Sequence, residues 1–238
     1  MNVIITGASK GMGKAIAEKF ALHKHNLVLC ARNEVQLYKT MEELLLSYPD
    51  CIIKASPADL SEIDATRRFG NWAQEQASKM PGGTVDVIVN NAGQFLPGSI
   101  YNEEEGVLEK MIAVNLYSAY HLTRLLLPKM MENKKGHIFN ICSIASLNAY
   151  KNGGAYSISK HAMLGFSKNL REEMKPHGIK VTAVMPGAVY TDSWKGSGIS
   201  PQRIMESKDI AELIFTAANL SLQAVVEDII VRPQLGDL

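Results

Sequence analysis

Seven short apolar runs, separated by amphipathic stretches long enough to be helices, follow one another along the whole chain. The runs are Val3 to Thr6, Leu27 to Ala31, Cys51 to Lys54, Val85 to Asn90, His137 to Cys142, Lys180 to Val184 and Asp228 to Val231. They are rich in Val and Ile and apolar on both faces, as strands buried in a parallel sheet are. Between them, helical spacing covers Gly13 to His23, Glu34 to Ser47, Glu62 to Lys79, Glu103 to Glu132, Ala155 to Lys175 and Ser207 to Leu220. Such alternation means βαβ units, and so an α/β protein of three layers doubly wound around a parallel sheet. An antiparallel meander would have hairpin turns where these helices stand.

No Pro/Gly/Ser-rich linker, composition shift or internal repeat divides the 238 residues, a length near the upper end of what one core serves. One domain over 1–238 is expected. The least regular stretch is Pro186 to Arg203, with Gly187, Gly196, Gly198 and Pro201. Ligands of open α/β sheets bind outside the carboxyl ends of the strands, so residues at about 188–206 read as a substrate lid.

Several classes fall away. Lys and Arg number 25 against 24 Asp and Glu, which removes the bulk electrostatic case for nucleic acid or an anionic membrane surface. No apolar run approaches the ~20 residues of a membrane span. Cys30, Cys51 and Cys142 form an odd set without a CxxC pair and read as reduced, buried side chains. With Met1-Asn2 leading directly into Val3-Ile4-Ile5, the expectation is a cytoplasmic protein without a targeting leader. The six histidines show neither HExxH spacing nor cysteine partners, so no metal site is expected. Met111, Met130, Met131 and Met163 lie on helical stretches and read as core filling.

Three constellations carry chemistry. Thr6-Gly7-Ala8-Ser9-Lys10-Gly11-Met12-Gly13 follows the first strand and opens the first helix. Glycines there permit a tight turn and close backbone approach, and the helix N-terminus offers N–H donors and a positive dipole to a pyrophosphate. The spacing departs from G-x-G-x-x-G, and a strand–helix turn alone needs no ligand. At the end of the second strand, Ala31 stands where a carboxylate would accept from the ribose hydroxyls of NAD. Arg32 follows it, and Lys10 lies in the neighbouring loop. Two cations without a carboxylate favour the extra phosphate of NADP, with Asn33 beside them.

The third constellation is Ser143 with Tyr156-Ser157-Ile158-Ser159-Lys160. Tyr156 and Lys160 are spaced i, i+4 and share a helix face. A lysine ammonium ~5 Å from a phenol contributes about 3 kcal/mol at an effective dielectric of ~20, which lowers the phenol by roughly two pK units. The tyrosine then becomes a usable proton donor to a carbonyl oxygen.

Thr6-Gly7-x-x-x-Gly11-x-Gly13, Asn90-Asn91-Ala92-Gly93, Asn115, Ser143, Tyr156-x-x-x-Lys160 and Pro186-Gly187 together resemble the classical short-chain dehydrogenases/reductases, in the same order from Thr6 to about residue 191. The resemblance implies a seven-stranded Rossmann sheet, a nicotinamide cofactor and commonly a dimer or tetramer. It implies Tyr156 as acid/base, and Lys160 as the ligand of the nicotinamide ribose that also lowers the tyrosine pKa. Ser143 is implied as the hydrogen-bond partner of the substrate carbonyl, and Asn115 as the holder of a relay water. Gly7, Ser9, Lys10, Gly11, Met12 and Gly13 are then the phosphate loop. The resemblance implies Asp59, followed by Leu60, as the adenine contact, Asn91, Ala92 and Gly93 as lining of the cofactor pocket, and Val189 and Thr191, just after Pro186 and Gly187 of the same cofactor site, as the residues that bind the carboxamide. Asn90 reads mostly as structural.

The expected activity is reduction of a small-molecule carbonyl with NADPH, by a homodimer or homotetramer. Pro186 to Thr191 with Trp194, and the ending Val225 to Pro233, look like bacterial sepiapterin reductase-like members, which makes Trp194 a wall of the substrate pocket and a flat ring or vicinal dicarbonyl the substrate. The alternative is a 3-oxoacyl-acyl-carrier-protein reductase, with Lys195, Arg203 and Lys208 as a basic docking surface. Outside the enzyme class stands a dinucleotide-binding regulator, disfavoured because Asn115, Ser143, Tyr156 and Lys160 are all present.

Overall fold

A computed structural model describes residues 1–191, 194 and 198–238. Its seven strands are β1 (Asn2–Thr6), β2 (Asn26–Ala31), β3 (Ile53–Pro57), β4 (Val87–Asn90), β5 (Gly136–Ile141), β6 (Ile179–Pro186) and β7 (Asp228–Val231). They form one sheet in the order β3-β2-β1-β4-β5-β6-β7, and every pairing is parallel. The helices are α1 (Gly11–Leu22), α2 (Glu34–Ser47), α3 (Ile63–Ser78), α4 (Val107–Ile112), α5 (Ser118–Asn133), α6 (Gly154–Met174) and α7 (Ser207–Ala218). This is the three-layer Rossmann-type architecture that the alternation of runs implied.

Successive strand residues point to opposite faces, and both faces are covered. Val3, Ile5, Leu27, Leu29, Val87, Val89 and Phe139 pack with Ile16, Phe20, Leu37, Ile210 and Ile214 of α1, α2 and α7. Ile4, Val28, Cys30, Ile88, Ile138 and Val181 pack with Phe69, Leu122, Leu126 and Leu170 of α3, α5 and α6. Burial from both sides is why the strands show no polar alternation. The three cysteines are free and buried. Met111, Met130 and Met163 are buried, and Met131 packs at the edge of the second face. Among the described residues no helix is long and apolar enough to cross a membrane.

One helix differs from its expected span. Glu103 to Glu132 does not form a continuous rod. Residues 103–106 lie outside it, α4 begins after Gly106 at φ 84, and a π-helical turn, Ala113–Tyr117, separates α4 from α5. A π turn carries an extra residue and re-aims the side chains on it, which a 3.6-residue period cannot reveal. Asn115 sits on that turn.

Candidate active site

The chain runs outward from β1 through β2 to β3 and returns on the other side of β1 as β4. The crevice of such a sheet opens where the order reverses, beyond the ends of β1 and β4. Thr6 and Asn90 are the last residues of those strands. The Thr6 hydroxyl accepts the N–H of Asn91 at 3.0 Å and of Ala92 at 2.9 Å. Asn91 Nδ2 donates back to the carbonyls of Thr6 at 2.9 Å and Gly7 at 3.1 Å. Gly7 holds φ +64, and a Cβ on Gly13 would collide with the Gly7 carbonyl and reach Asn91 Nδ2 at 2.6 Å. The loop closes only because both positions lack a side chain.

The rest of the loop fits an anionic ligand. Lys10 is the N-cap of α1 but makes no side-chain cap, and no acidic residue occupies the first turn. A helix start of this kind offers its leading N–H groups to an anion. Ser9 is buried, and its carbonyl accepts Thr40 Oγ1 at 2.8 Å, fixing the loop to α2. Met12 packs on the α1 side of the core. Thr191 comes back to this loop, since a Cβ on Gly11 would lie 3.1 Å from Thr191 Cγ2.

At the end of β2, Ala31 is buried and Arg32 is 72% exposed, with Nη1 3.8 Å from Asp59 Oδ2. The structure thus brings together the two side chains expected around an adenosine. Burial pulls Asp59 up, but hydrogen bonds from the Ser61 hydroxyl and N–H and the Arg32 guanidinium hold it below the usual carboxylate range. Asn33 caps α2, accepting from Gln36 N at 2.8 Å. Leu60 turns its side chain into the core.

Four residues converge beyond β5. Ser143 is buried and follows the strand by two positions. Tyr156 is the third residue of α6 and Lys160 lies one turn further along it. Asn115 Oδ1 accepts Gln94 N at 2.8 Å, and its Nδ2 donates to Gln94 O at 3.0 Å and to Ser159 Oγ at 2.9 Å. Gly93 lies between them, where a Cβ would stand 3.1 Å from Asn115 Oδ1 and 3.7 Å from Lys160 Nζ. Lys160 Nζ donates to the Ile141 carbonyl at 2.7 Å and stands 5.9 Å from the Tyr156 ring centroid. Asn90 ties the sheet together instead, donating to Thr123 Oγ1 at 3.0 Å and Asn140 Oδ1 at 2.8 Å.

The electrostatics correct one expectation. Burial, not the lysine, dominates Tyr156 and pushes its pKa up, while a hydrogen bond with Ser143 pulls the other way. Burial also pushes Lys160 down to about 8. Its ammonium donates to a strand carbonyl while standing beside the tyrosine ring. The phenol stays neutral through the neutral range, which is the form a proton donor requires.

Some neighbours of Tyr156 had no signal in the sequence. The Phe95 ring meets Tyr156 edge-on at 4.8 Å, and burial together with Tyr156 pushes Tyr150 up to about 12. Ser159 Oγ donates to the Tyr156 carbonyl at 2.7 Å and so links the tyrosine turn to Asn115. None of these three belongs to a spaced motif.

Pro186, the last residue of β6, is buried, and Gly187 N donates to Val231 O at 2.8 Å. Val189 pairs in parallel with Met205, reinforced by Tyr190 N to Met205 O at 2.8 Å and Met205 N to Ala188 O at 3.1 Å. Residues 188–190 are thus tied to Met205. Trp194 is partly buried, with its N–H on Thr191 O at 3.0 Å. Of the residues expected in a basic docking surface, two are described. Arg203 is committed to the carbonyls of Leu235, Gly236 and Asp237, and Lys208 pairs with Glu206 at 2.8 Å, while Lys195 lies outside the described residues.

Residues 1–200 match the family model described as short chain dehydrogenase. An uncharacterised oxidoreductase of Staphylococcus epidermidis is 30% identical over 232 residues, covering 97% of this chain and 96% of that protein. A metagenomic short-chain oxidoreductase solved with NADP is 31% identical, with a TM-score of 0.83 over 98% of this chain and 97% of that one. An alcohol dehydrogenase from the archaeon Thermococcus sibiricus, solved with 5-hydroxy-NADP, is 26% identical, with a TM-score of 0.89 over 100% and 98% of the two chains.

Proposed function

We propose, from the premise that this chain belongs to the short-chain dehydrogenase family, that it reduces small-molecule carbonyls with NADPH and uses Tyr156 as the proton donor. One observation carries the reading. Ser143 hydrogen-bonds Tyr156, Lys160 stands beside its ring, Asn115 reaches its turn through Ser159, and burial keeps the phenol protonated. NADP(H) is the cofactor. The loop of Gly7, Ser9, Gly11, Met12 and Gly13 suits its pyrophosphate, Arg32 and Lys10 its 2′-phosphate, and Asp59 its adenine. Asn91, Ala92, Gly93, Pro186, Gly187, Val189 and Thr191 suit the nicotinamide end.

When bound, NADPH supplies the hydride for the carbonyl carbon. The protein's own part is to place and protonate the oxygen. Ser143 donates to the carbonyl oxygen and orients it toward Tyr156. Tyr156 gives up its proton as charge grows on that oxygen, general acid catalysis worth ~10²–10⁴-fold. Lys160, cationic below about 8, stabilises the phenolate left behind. Asn115 holds the water through which the tyrosine is reprotonated.

For the acceptor we favour a flat ring or a vicinal dicarbonyl, in the manner of sepiapterin reductase-like enzymes. The half-exposed Phe95 beside Tyr156, with Tyr150 and Trp194, supports that choice. Residues 188–206 act as the lid of a single-domain enzyme. Exposed Tyr117, Tyr120 and Ile158 on the outer helical layer support a homodimer or homotetramer, and three buried free thiols suit the cytoplasm. The test is NADPH oxidation across sepiapterin, vicinal diketones and 3-oxoacyl thioesters. Turnover only of the thioesters overturns the substrate assignment, and no turnover of any carbonyl overturns the activity.

A further inference from the structure

Glu103 lies on the loop between β4 and α4, yet its carboxylate serves a different helix. Both oxygens accept the N–H of Ala155, at 2.9 and 3.2 Å. Ala155 is the second residue of α6, and Tyr156 is the next. The site is built for this one side chain. Gly154 holds φ +35, and a Cβ there would collide with the Glu103 carboxylate. A Cβ on Gly98, on the opposite wall, would press on Glu103 Cγ at 2.7 Å. Flanking bonds seat the same loop, Gly98 N on Asn152 O at 3.2 Å and Ser99 Oγ with Asn152 Oδ1 at 2.7 Å. The first turn of α6 has no N-cap side chain of its own. A carboxylate on an N-terminal N–H of a helix satisfies an orphan donor and opposes the positive end of the dipole.

We propose that Glu103 is a positioning residue for Tyr156, holding the first turn of α6 against the loop that carries Phe95. This rests on the reading of Tyr156 as the acid. A loss of anchorage lets the tyrosine hydroxyl drift relative to Ser143, and displacements of ~1 Å cost up to ~10²-fold in rate. Cofactor affinity, set mainly at the glycine loop and Arg32, is left alone.

The experiment compares wild type, Glu103→Ala, Glu103→Gln and Glu103→Asp, with kcat, NADPH dissociation constant and hydrogen exchange at the Ala155 amide as readouts. In Glu103→Ala, exchange speeds at least tenfold, kcat falls ~10- to 100-fold and the NADPH constant stays within twofold. Glu103→Gln, which keeps an acceptor of the same reach, restores both exchange and kcat to within about threefold. Should the alanine variant not fold, Glu103→Asp, charged but one methylene short, is expected to show the same split. Faster exchange with kcat within twofold overturns the proposal, as does unchanged exchange. So does a loss of NADPH affinity in step with kcat. Turnover retained in Tyr156→Phe overturns the acid reading separately, by a variant that leaves Glu103 in place.

Discussion

The Phe95 ring stands edge-on to Tyr156, with centroids 4.8 Å apart and planes at 82°. Phe95 is 44% exposed, so part of its ring faces solvent beside the proposed acid. On the proposed reading, an acceptor that presents its carbonyl oxygen to Tyr156 meets that ring. Shape and flatness of the acceptor are then expected to matter where the proton is transferred.

Tyr156→Phe removes the proposed proton donor and keeps the ring and its packing against Phe95. Turnover is expected to fall by at least ~10²-fold while NADPH still binds. Steady-state kinetics together with cofactor titration check this. A variant keeping more than about a tenth of the wild-type kcat removes Tyr156 from the mechanism.

NADPH should be preferred over NADH, through Arg32 with help from Lys10. Charge-assisted contacts contribute ~1.5–3 kcal/mol each, or about ten- to a hundredfold per lost contact. Ala31→Asp combined with Arg32→Ala is expected to reverse the preference by adding a ribose acceptor and repelling the phosphate. Equal kcat/KM for the two cofactors in the wild type is the result that rules this out.

Phe95→Ala and Trp194→Ala separate stacking from simple lid order. Aromatic pairing is worth ~0.5–1.5 kcal/mol beyond area burial, so a pterin-like acceptor should lose about tenfold or more in kcat/KM. A small aliphatic diketone should lose much less. If the two substrates fall by one factor in Trp194→Ala, that indole orders the loop and does not contact the acceptor.

Lys160 carries a pH signature in stability. Its folded pKa of about 8 lies below the ordinary 10.5, so between these values the unfolded chain holds more protons and stability rises with pH. Below pH 8 the buried ammonium opposes folding. Relative to Lys160→Met, the wild type should gain up to roughly 3 kcal/mol as pH rises from 7 to 10.5, read by urea unfolding at each pH. A stability gap that does not change with pH contradicts it.

Much of this architecture was legible because its signals are local. Each of the seven apolar runs became a strand, and the run at Cys51 to Lys54 shifted only to Ile53–Pro57. Gly7, Gly13 and Asn91 meet because a turn, a helix start and a strand end are forced together by the reversal at β1 and β4. What escaped is set by tertiary placement. Phe95 and Glu103 lie on an irregular loop with no period, and their partners are 61 and 52 residues away. The π turn hid inside a helical pattern because one extra residue barely disturbs the spacing of apolar side chains. The net lowering expected for Tyr156 is reversed because burial outweighs the other influences on its phenol. Spacing on a helix face does not report burial.

Val189 and Met205 close the loop after β6 at its neck, and Arg203 fastens the same neck to the carbonyls of residues 235–237. Among the described residues, 198–202 lie between these ties and belong to no strand of the sheet. Under the proposed lid role, the stretch after Thr191 and before Arg203 is an exchangeable cartridge. Lengthening it costs only the slowly growing entropy of loop closure, about 0.6 kcal/mol per doubling. A foreign loop grafted into the clasp is then expected to change acceptor choice while the glycine turn, Tyr156 and Lys160 keep their places.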